Sequence, residues 1–149
     1  MAGPGRVTTS MNGRVFLDTN VLVYAFDSDG GARREPAIEL LGAARAGTHV
    51  ISAQVLQEFF NAVTRKLVRP LPPEDAEAAV RLLSRLTVVA ADAPLVLAAL
   101  EVRRRYQLSL WDALIVQAAT AGGCERILTE DLQHGMRFGE LVVDNPFRG

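Results

Sequence analysis

The sequence predicts an α/β domain whose short, mostly parallel sheet is covered by helices on both faces. Three observations carry this prediction. Short apolar runs suited to buried strands alternate with longer segments of helical periodicity. Glycines, prolines or capping residues mark the breaks between them, and strands separated by helices build βαβ units. The length, 149 residues, suits one domain: a chain of this size buries roughly 70% of the surface it exposes unfolded and holds a core without a disulfide or metal staple.

Residues 1–13, rich in Gly, Ser and Thr, read as a flexible leader with Met11 as an alternative start, and residues 14–149 as the single domain. Val15 to Leu17 is a short apolar run that reads as a buried strand closed by Asp18. Thr19 or Asn20 then caps a short helix through Phe26. After the polar turn DSDGGARRE a helix spans residues 36–46, with Pro36 in its first turn and Gly47 as its stop. HVIS is a second buried strand, and Ser52 an N-cap for a helix to about Leu67. In that helix Val55, Leu56, Phe59, Phe60, Val63 and Leu67 share one face.

The run RPLPPED separates two helices rather than two domains. Residues 74–86 are helical, TVVA is a third strand, and Asp92 caps a helix to Tyr106. Ser109 opens the helix LWDALIVQAATA, which Gly122 and Gly123 end. That helix is apolar in nearly every direction, so it is expected to be buried, with Trp111 in the core. RIL is a fourth strand, TEDLQHGMRFG a loop, and LVV the last strand before DNPFRG.

Composition narrows function by exclusion. Sixteen basic residues against 17 acidic ones give a net charge of −1, which rules out a uniformly basic nucleic-acid coat and an acidic tail. Cys124 is the only cysteine, so no intrachain disulfide forms. With no apolar run of signal-peptide or membrane-spanning length, a cytoplasmic, non-membrane protein is expected. The two histidines, His49 and His134, lie far apart in sequence, so any metal site would be built mainly from oxygen ligands.

In a parallel sheet, ligands bind at the carboxyl ends of the strands. Asp18 follows the first strand directly, and Asp131 lies three residues beyond Leu128. Asp112 sits in the first turn of the apolar helix and Glu58 beside the apolar stripe of its own helix. Taken singly, each acid has a structural explanation: strand-end cap, turn former, capping box, solvated boundary. Taken together they form a candidate cluster that would take up protons unless a cation offset it. An oxygen-only donor set favours Mg²⁺ or Mn²⁺, ions suited to phosphoryl transfer.

The motifs LDTN (residues 17–20), QEFFN (57–61), LWDALIVQAA (110–119) and LTEDLQHG (128–135) occur in that order. The four acids are separated by 40, 54 and 19 residues. In this the chain resembles the PIN-domain ribonucleases, above all the VapC toxins of prokaryotic toxin–antitoxin pairs, over residues 14–147. The resemblance implies a three-layer α/β/α fold and an acidic pocket for one or two divalent cations, Mg²⁺ or Mn²⁺. Asp18, Glu58, Asp112 and Asp131 match the family's catalytic acids, with Asp18, Asp112 and Asp131 as metal ligands and Glu58 as a further one. Asn20 and Thr129 match supporting polar positions. Some relatives carry another acid where this chain has Gln133, which bears on the second metal position. Glu130 is set aside because a turn would point it elsewhere.

The implied activity is metal-dependent hydrolysis of RNA, by the toxin of a VapBC-type pair that homodimerises and is held by a VapB-like antitoxin. The apolar helices starting at Val21 and Val55 are candidate partner contacts. Arg33 and Arg34 are candidate substrate-binding residues, and Arg65, Lys66, Arg69 and residues 103–105 further candidates for phosphate contact. Trp111 and Tyr24 could stack on bases. Two alternatives stay open: a non-catalytic PIN-fold binding module, and a small phosphatase with Asp18 as nucleophile, whose expected second acid is here Asn20. Setting the four acids aside leaves 13 against 16 bases, an acidic hole in a body of net charge +3.

Overall fold

The computed structural model describes residues 13–148. The expected leader therefore lies outside the described residues, apart from Gly13. Six strands form one sheet in the order β3-β2-β1-β4-β6-β5. They are β1 (Val15–Leu17), β2 (His49–Ser52), β3 (Thr87–Val89), β4 (Arg126–Leu128), β5 (Arg137–Phe138) and β6 (Leu141–Asp144). All neighbouring pairs are parallel except β5 with β6. β5 corrects the sequence reading, which left 129–139 as a loop. Two residues are too few to show a period, and Phe138 pairs with Leu141 through a tight hairpin.

The helices are α1 (Thr19–Phe26), α2 (Arg34–Ala43), α3 (Ala53–Arg65), α4 (Pro73–Leu83), α5 (Ala93–Tyr106) and α6 (Leu110–Ala121). The chain winds outward through β1, β2 and β3, then returns across β1 to β4. Because crossovers between parallel strands are right-handed, reversing direction sends α5 and α6 to the face opposite α1–α4. Helix contacts match this division: α1 packs on α2 and α3, α3 on α4, and α5 on α6. The result is the expected three-layer α/β/α sandwich. Its core is the interior of the strands, with Phe16, Leu17, Val50, Ile51, Ile127 and Val143 buried between the layers.

Local signals set most element ends. Ser52, Asp92 and Ser109 accept hydrogen bonds from the amides of Val55, Leu95 and Asp112, each capping its helix as expected. α1 differs: its cap is Asp18 itself, not Thr19 or Asn20. α2 starts two residues earlier and ends three earlier than its apolar pattern suggests. A 3₁₀ turn at Gly31–Arg33 leads into it, and Pro36 then falls within the first turn. The largest departure is Trp111, placed in the core by the sequence but 63% exposed. The buried positions of α6 are Ala113, Ile115, Val116, Ala118 and Ala119, and Trp111 lies outside that set.

Candidate active site

The winding reverses between β1 and β4, and at that point the carboxyl ends of two neighbouring strands have no connection closing over them. Asp18 leaves β1 here and Thr129 leaves β4. The amide of Asp18 donates to the Leu128 carbonyl at 3.0 Å, extending the β1–β4 ladder by one step. This fixes the backbone on which the carboxylate stands.

Asp18 is buried, 6% exposed. Its Oδ1 accepts from the Thr19 amide and its Oδ2 from the Thr129 hydroxyl, both at 2.7 Å. Thr129 is fully buried and its oxygen also accepts from the Asp131 amide at 3.0 Å. Asn20 completes the bridge. Its Nδ2 lies 3.1 Å from Asp131 Oδ2, 3.3 Å from Thr129 Oγ1 and 3.5 Å from Asp18 Oδ2. Its Oδ1 accepts from the Glu130 amide at 3.2 Å, which fixes the orientation of the amide. Asp18, Asn20, Thr129 and Asp131 are thus one hydrogen-bonded unit, and each of its members was singled out from the sequence.

Glu58 joins from α3. Its Oε1 accepts from the Thr19 hydroxyl at 2.8 Å and its Oε2 from Gln54 Nε2 at 2.9 Å. Gln54 reaches the Trp111 carbonyl as well, at 3.4 Å, tying α3 to the start of α6, where Asp112 is half-buried. The four acids feel one another. Burial, opposed by the Thr129 and Thr19 donors and reinforced by the charges of Asp131 and Glu58, pushes the Asp18 carboxyl up to about 6. Asp112 is also raised, by burial first and then by Asp131 and Glu58.

Among the described residues, no three acidic, histidine or cysteine side chains converge tightly enough to grip one ion as they stand. The donor set nevertheless fits a hard divalent cation. It consists of carboxylates, two of them destabilised as anions by burial and mutual repulsion, and a bound cation would reverse that penalty. Asp131 is exposed and Asp112 half-buried, so both have room to turn inward.

Glu130 points away from this unit, as expected, and makes a second one. Its Oε1 accepts from the Tyr24 hydroxyl and its Oε2 from Arg33 Nε at 2.6 Å. Burial works against the Glu130 anion, but these two donors hold its pKa below the usual range. The Arg33 guanidinium also lies 5.6 Å from the Tyr24 ring centre. Arg33, a sequence candidate for substrate binding, is therefore occupied in holding the loop that carries Asp131. Arg34 starts α2 as an exposed residue and is not brought to the carboxylates.

An open groove of about 450 Å³ runs from the carboxylates along α1 and α3. Glu58, Asp131, Asn20, Asn61 and Lys66 line it. Asn61 entered the sequence reading only as the last residue of the QEFFN motif, with no role of its own, because an exposed Asn on a helix carries no further signal. Among the described residues no helix is long and apolar enough to cross a membrane.

Residues 15–135 match the family described as the PIN domain. Solved structures share the fold. A toxin–antitoxin complex from Klebsiella pneumoniae aligns with a TM-score of 0.66 at 20% identity, over 89% of this chain and 97% of that one. VapC20 of Mycobacterium tuberculosis, described as a sarcin–ricin loop cleaving toxin, aligns at 0.63 and 23% identity, over 78% and 91%. VapBC2 of Rickettsia felis, bound to a DNA fragment from its promoter, aligns at 0.60 and 23% identity, over 88% and 97%. No curated protein sequence matches the chain significantly.

Proposed function

The chain belongs to the PIN-domain family, and from that premise we propose that it is a metal-dependent endoribonuclease, the toxin of a VapBC-type toxin–antitoxin pair. The observation that carries this reading is the coupling of Asp18, Glu58, Asp112 and Asp131 at the sheet's reversal point. Such an arrangement is costly as a purely structural feature and useful as a cation site.

Asp18, Asp112 and Asp131 would hold Mg²⁺ or Mn²⁺, with Glu58 as a further ligand. A divalent cation there supplies positive charge against the phosphate and eases ionisation of water. The protein's own residues do the rest. Thr129 and the Thr19 amide hold Asp18 in one orientation, and Asn20 holds Asp131 against it. Glu58, whose oxygens accept from Thr19 and Gln54, is held at the edge of the groove, where it would complete the ligand set. Attack at phosphorus breaks the bond to the 3′ oxygen, leaving a 5′-phosphate on one product and a 3′-hydroxyl on the other.

The partner reading rests on relatives described as toxin–antitoxin assemblies. It also rests on an apolar hollow of about 580 Å³ between α3 and α4, lined by Leu56, Phe60 and Val80. This is a suitable seat for an antitoxin segment on α3, one of the two helices expected to meet a partner, and a homodimer in the cytoplasm completes the proposal. The phosphatase alternative gains no support, since both Asp18 oxygens are already hydrogen-bonded and burial favours the protonated acid.

Purified protein should cleave RNA with Mn²⁺ or Mg²⁺, and EDTA or Asp18→Asn should abolish cleavage while the fold persists. Equal cleavage by all three preparations would identify a contaminant and end the proposal. Expression without a partner should arrest growth, and the same substitution should relieve it.

A further inference from the structure

Between the fully buried Thr129 and the exposed Asp131 stands Glu130, whose side chain turns away from the carboxylate cluster. Two segments meet on it. α1 brings the Tyr24 hydroxyl to Oε1, and the 3₁₀ turn at Gly31–Arg33 brings Arg33 Nε to Oε2 at 2.6 Å. A third segment braces them. The Phe147 ring meets the Tyr24 ring edge-on with centroids 5.2 Å apart, and the Phe147 amide donates to Asn145 Oδ1 at 2.9 Å.

Asn20 and Tyr24, four residues apart on α1, lie on one side of that helix. Asn20 takes the backbone of the loop, accepting from the Glu130 amide, and donates to Asp131 Oδ2. Tyr24 takes the Glu130 side chain. The Asp131 carboxylate itself is exposed, and ordering an exposed group as it takes up a ligand counts against binding. Anchoring the residue before it supplies the backbone part of that order in advance. Arg33 also offsets the Glu130 charge, so this neighbouring acid neither adds to the repulsion within the cluster nor turns in as a competing ligand.

We infer that Tyr24, Glu130 and Arg33 are positioning residues, a clamp that holds the loop after β4 where Asp131 can serve the carboxylate cluster. Cutting the clamp loosens the loop and weakens cation binding while the fold stands. The Arg33 side chain is 48% exposed, so the ion pair contributes little to global stability. The inference rests on the cation part of the nuclease reading, but the clamp itself is tested without metal.

The full chain is followed in EDTA by amide hydrogen exchange, and separately titrated with Mn²⁺ by calorimetry. Arg33→Ala and Glu130→Gln should each speed exchange at residues 130–132 about ten-fold and leave the amides of β1 and β4 unchanged. Each should weaken Mn²⁺ binding about ten-fold. The double variant should lose no more than the worse single one, since both cut one contact. Arg33→Lys keeps the charge and should recover part of the affinity. Tyr24→Phe removes only the hydroxyl, keeps the ring against Phe147, and should fall between wild type and Glu130→Gln.

Unchanged loop exchange in Arg33→Ala, additive losses in the double variant, or wild-type Mn²⁺ affinity in the single variants each overturns the inference. So does faster exchange across the whole domain, because the ion pair would then serve global stability alone. A wild type that binds no Mn²⁺ overturns both readings. RNA cleavage assays keep them apart otherwise. Variants that weaken Mn²⁺ binding in a protein that cuts no RNA keep the clamp and discard the nuclease. Cleavage by a wild type whose clamp variants bind Mn²⁺ equally well does the reverse.

Discussion

Asp18 stands where burial and charge conflict. Its carboxyl is raised from 3.8 to about 6, chiefly by burial, which corresponds to about 3 kcal/mol. A carboxyl raised on folding stabilises the fold fully below its unfolded pKa, and that stability is lost as pH rises through the folded one. In EDTA, the wild type should therefore lose stability between about pH 4 and pH 6 from this residue alone. Asp18→Asn cannot ionise, so it should exceed the wild type at pH 7 by about 1–2 kcal/mol, less than the full value because its amide suits the Thr129 contact less well. The advantage should vanish near pH 4. Urea unfolding across this range checks it, and a variant less stable than wild type at pH 7 would show that the lost hydrogen bonds dominate.

The other residue-scale lesson concerns Arg33 and Glu130. A basic residue in a turn reads as a phosphate contact because sequence shows its charge and not its partner. The partner lies 97 positions away, and only folding brings it near enough to occupy the guanidinium.

Among the elements, helix starts were the most legible, since a cap acts within three residues of itself: Ser52, Asp92 and Ser109 each bond the amide three positions on. Elements defined by contact were not. β5 exists because Phe138 meets Leu141, and β3 is only half covered because among the described residues it is an edge strand. Gly122 looked like a helix stop, and it is one, but packing demands it too. A Cβ there would sit 2.8 Å from Val50 Cγ1 and 3.3 Å from Val89 Cγ2, where the end of α6 presses on β2 and β3. Gly122→Ala should therefore cost about 1–3 kcal/mol. Adding Val50→Ala should cost less in that background than in wild type, and a double-mutant cycle measures the difference.

For the whole molecule, the site and the stability are linked. A ligand that binds only the folded state raises its stability by mass action. Mg²⁺ or Mn²⁺ should thus raise the melting temperature of the wild type at pH 7, and less at pH 5, where protonated Asp18 competes with the cation. Asp18→Asn should respond little at either pH. An equal rise in both proteins would place the cation elsewhere and remove the main support for the nuclease reading.

The sequence by itself determined the fold class and the position of each acid. Alternating apolar runs and caps are local, and the carboxylates follow features that are themselves local, a strand end or a first helical turn. Only the tertiary structure decided which of those features meet. The return of the chain from β3 across β1 to β4 brings Asp18 and Thr129 to one gap in the sheet, a juxtaposition of residues 111 positions apart. Packing also leaves Trp111 63% exposed instead of in the core. Apolar periodicity shows which face of a helix is covered, but how far along the helix the cover extends depends on the layers around it.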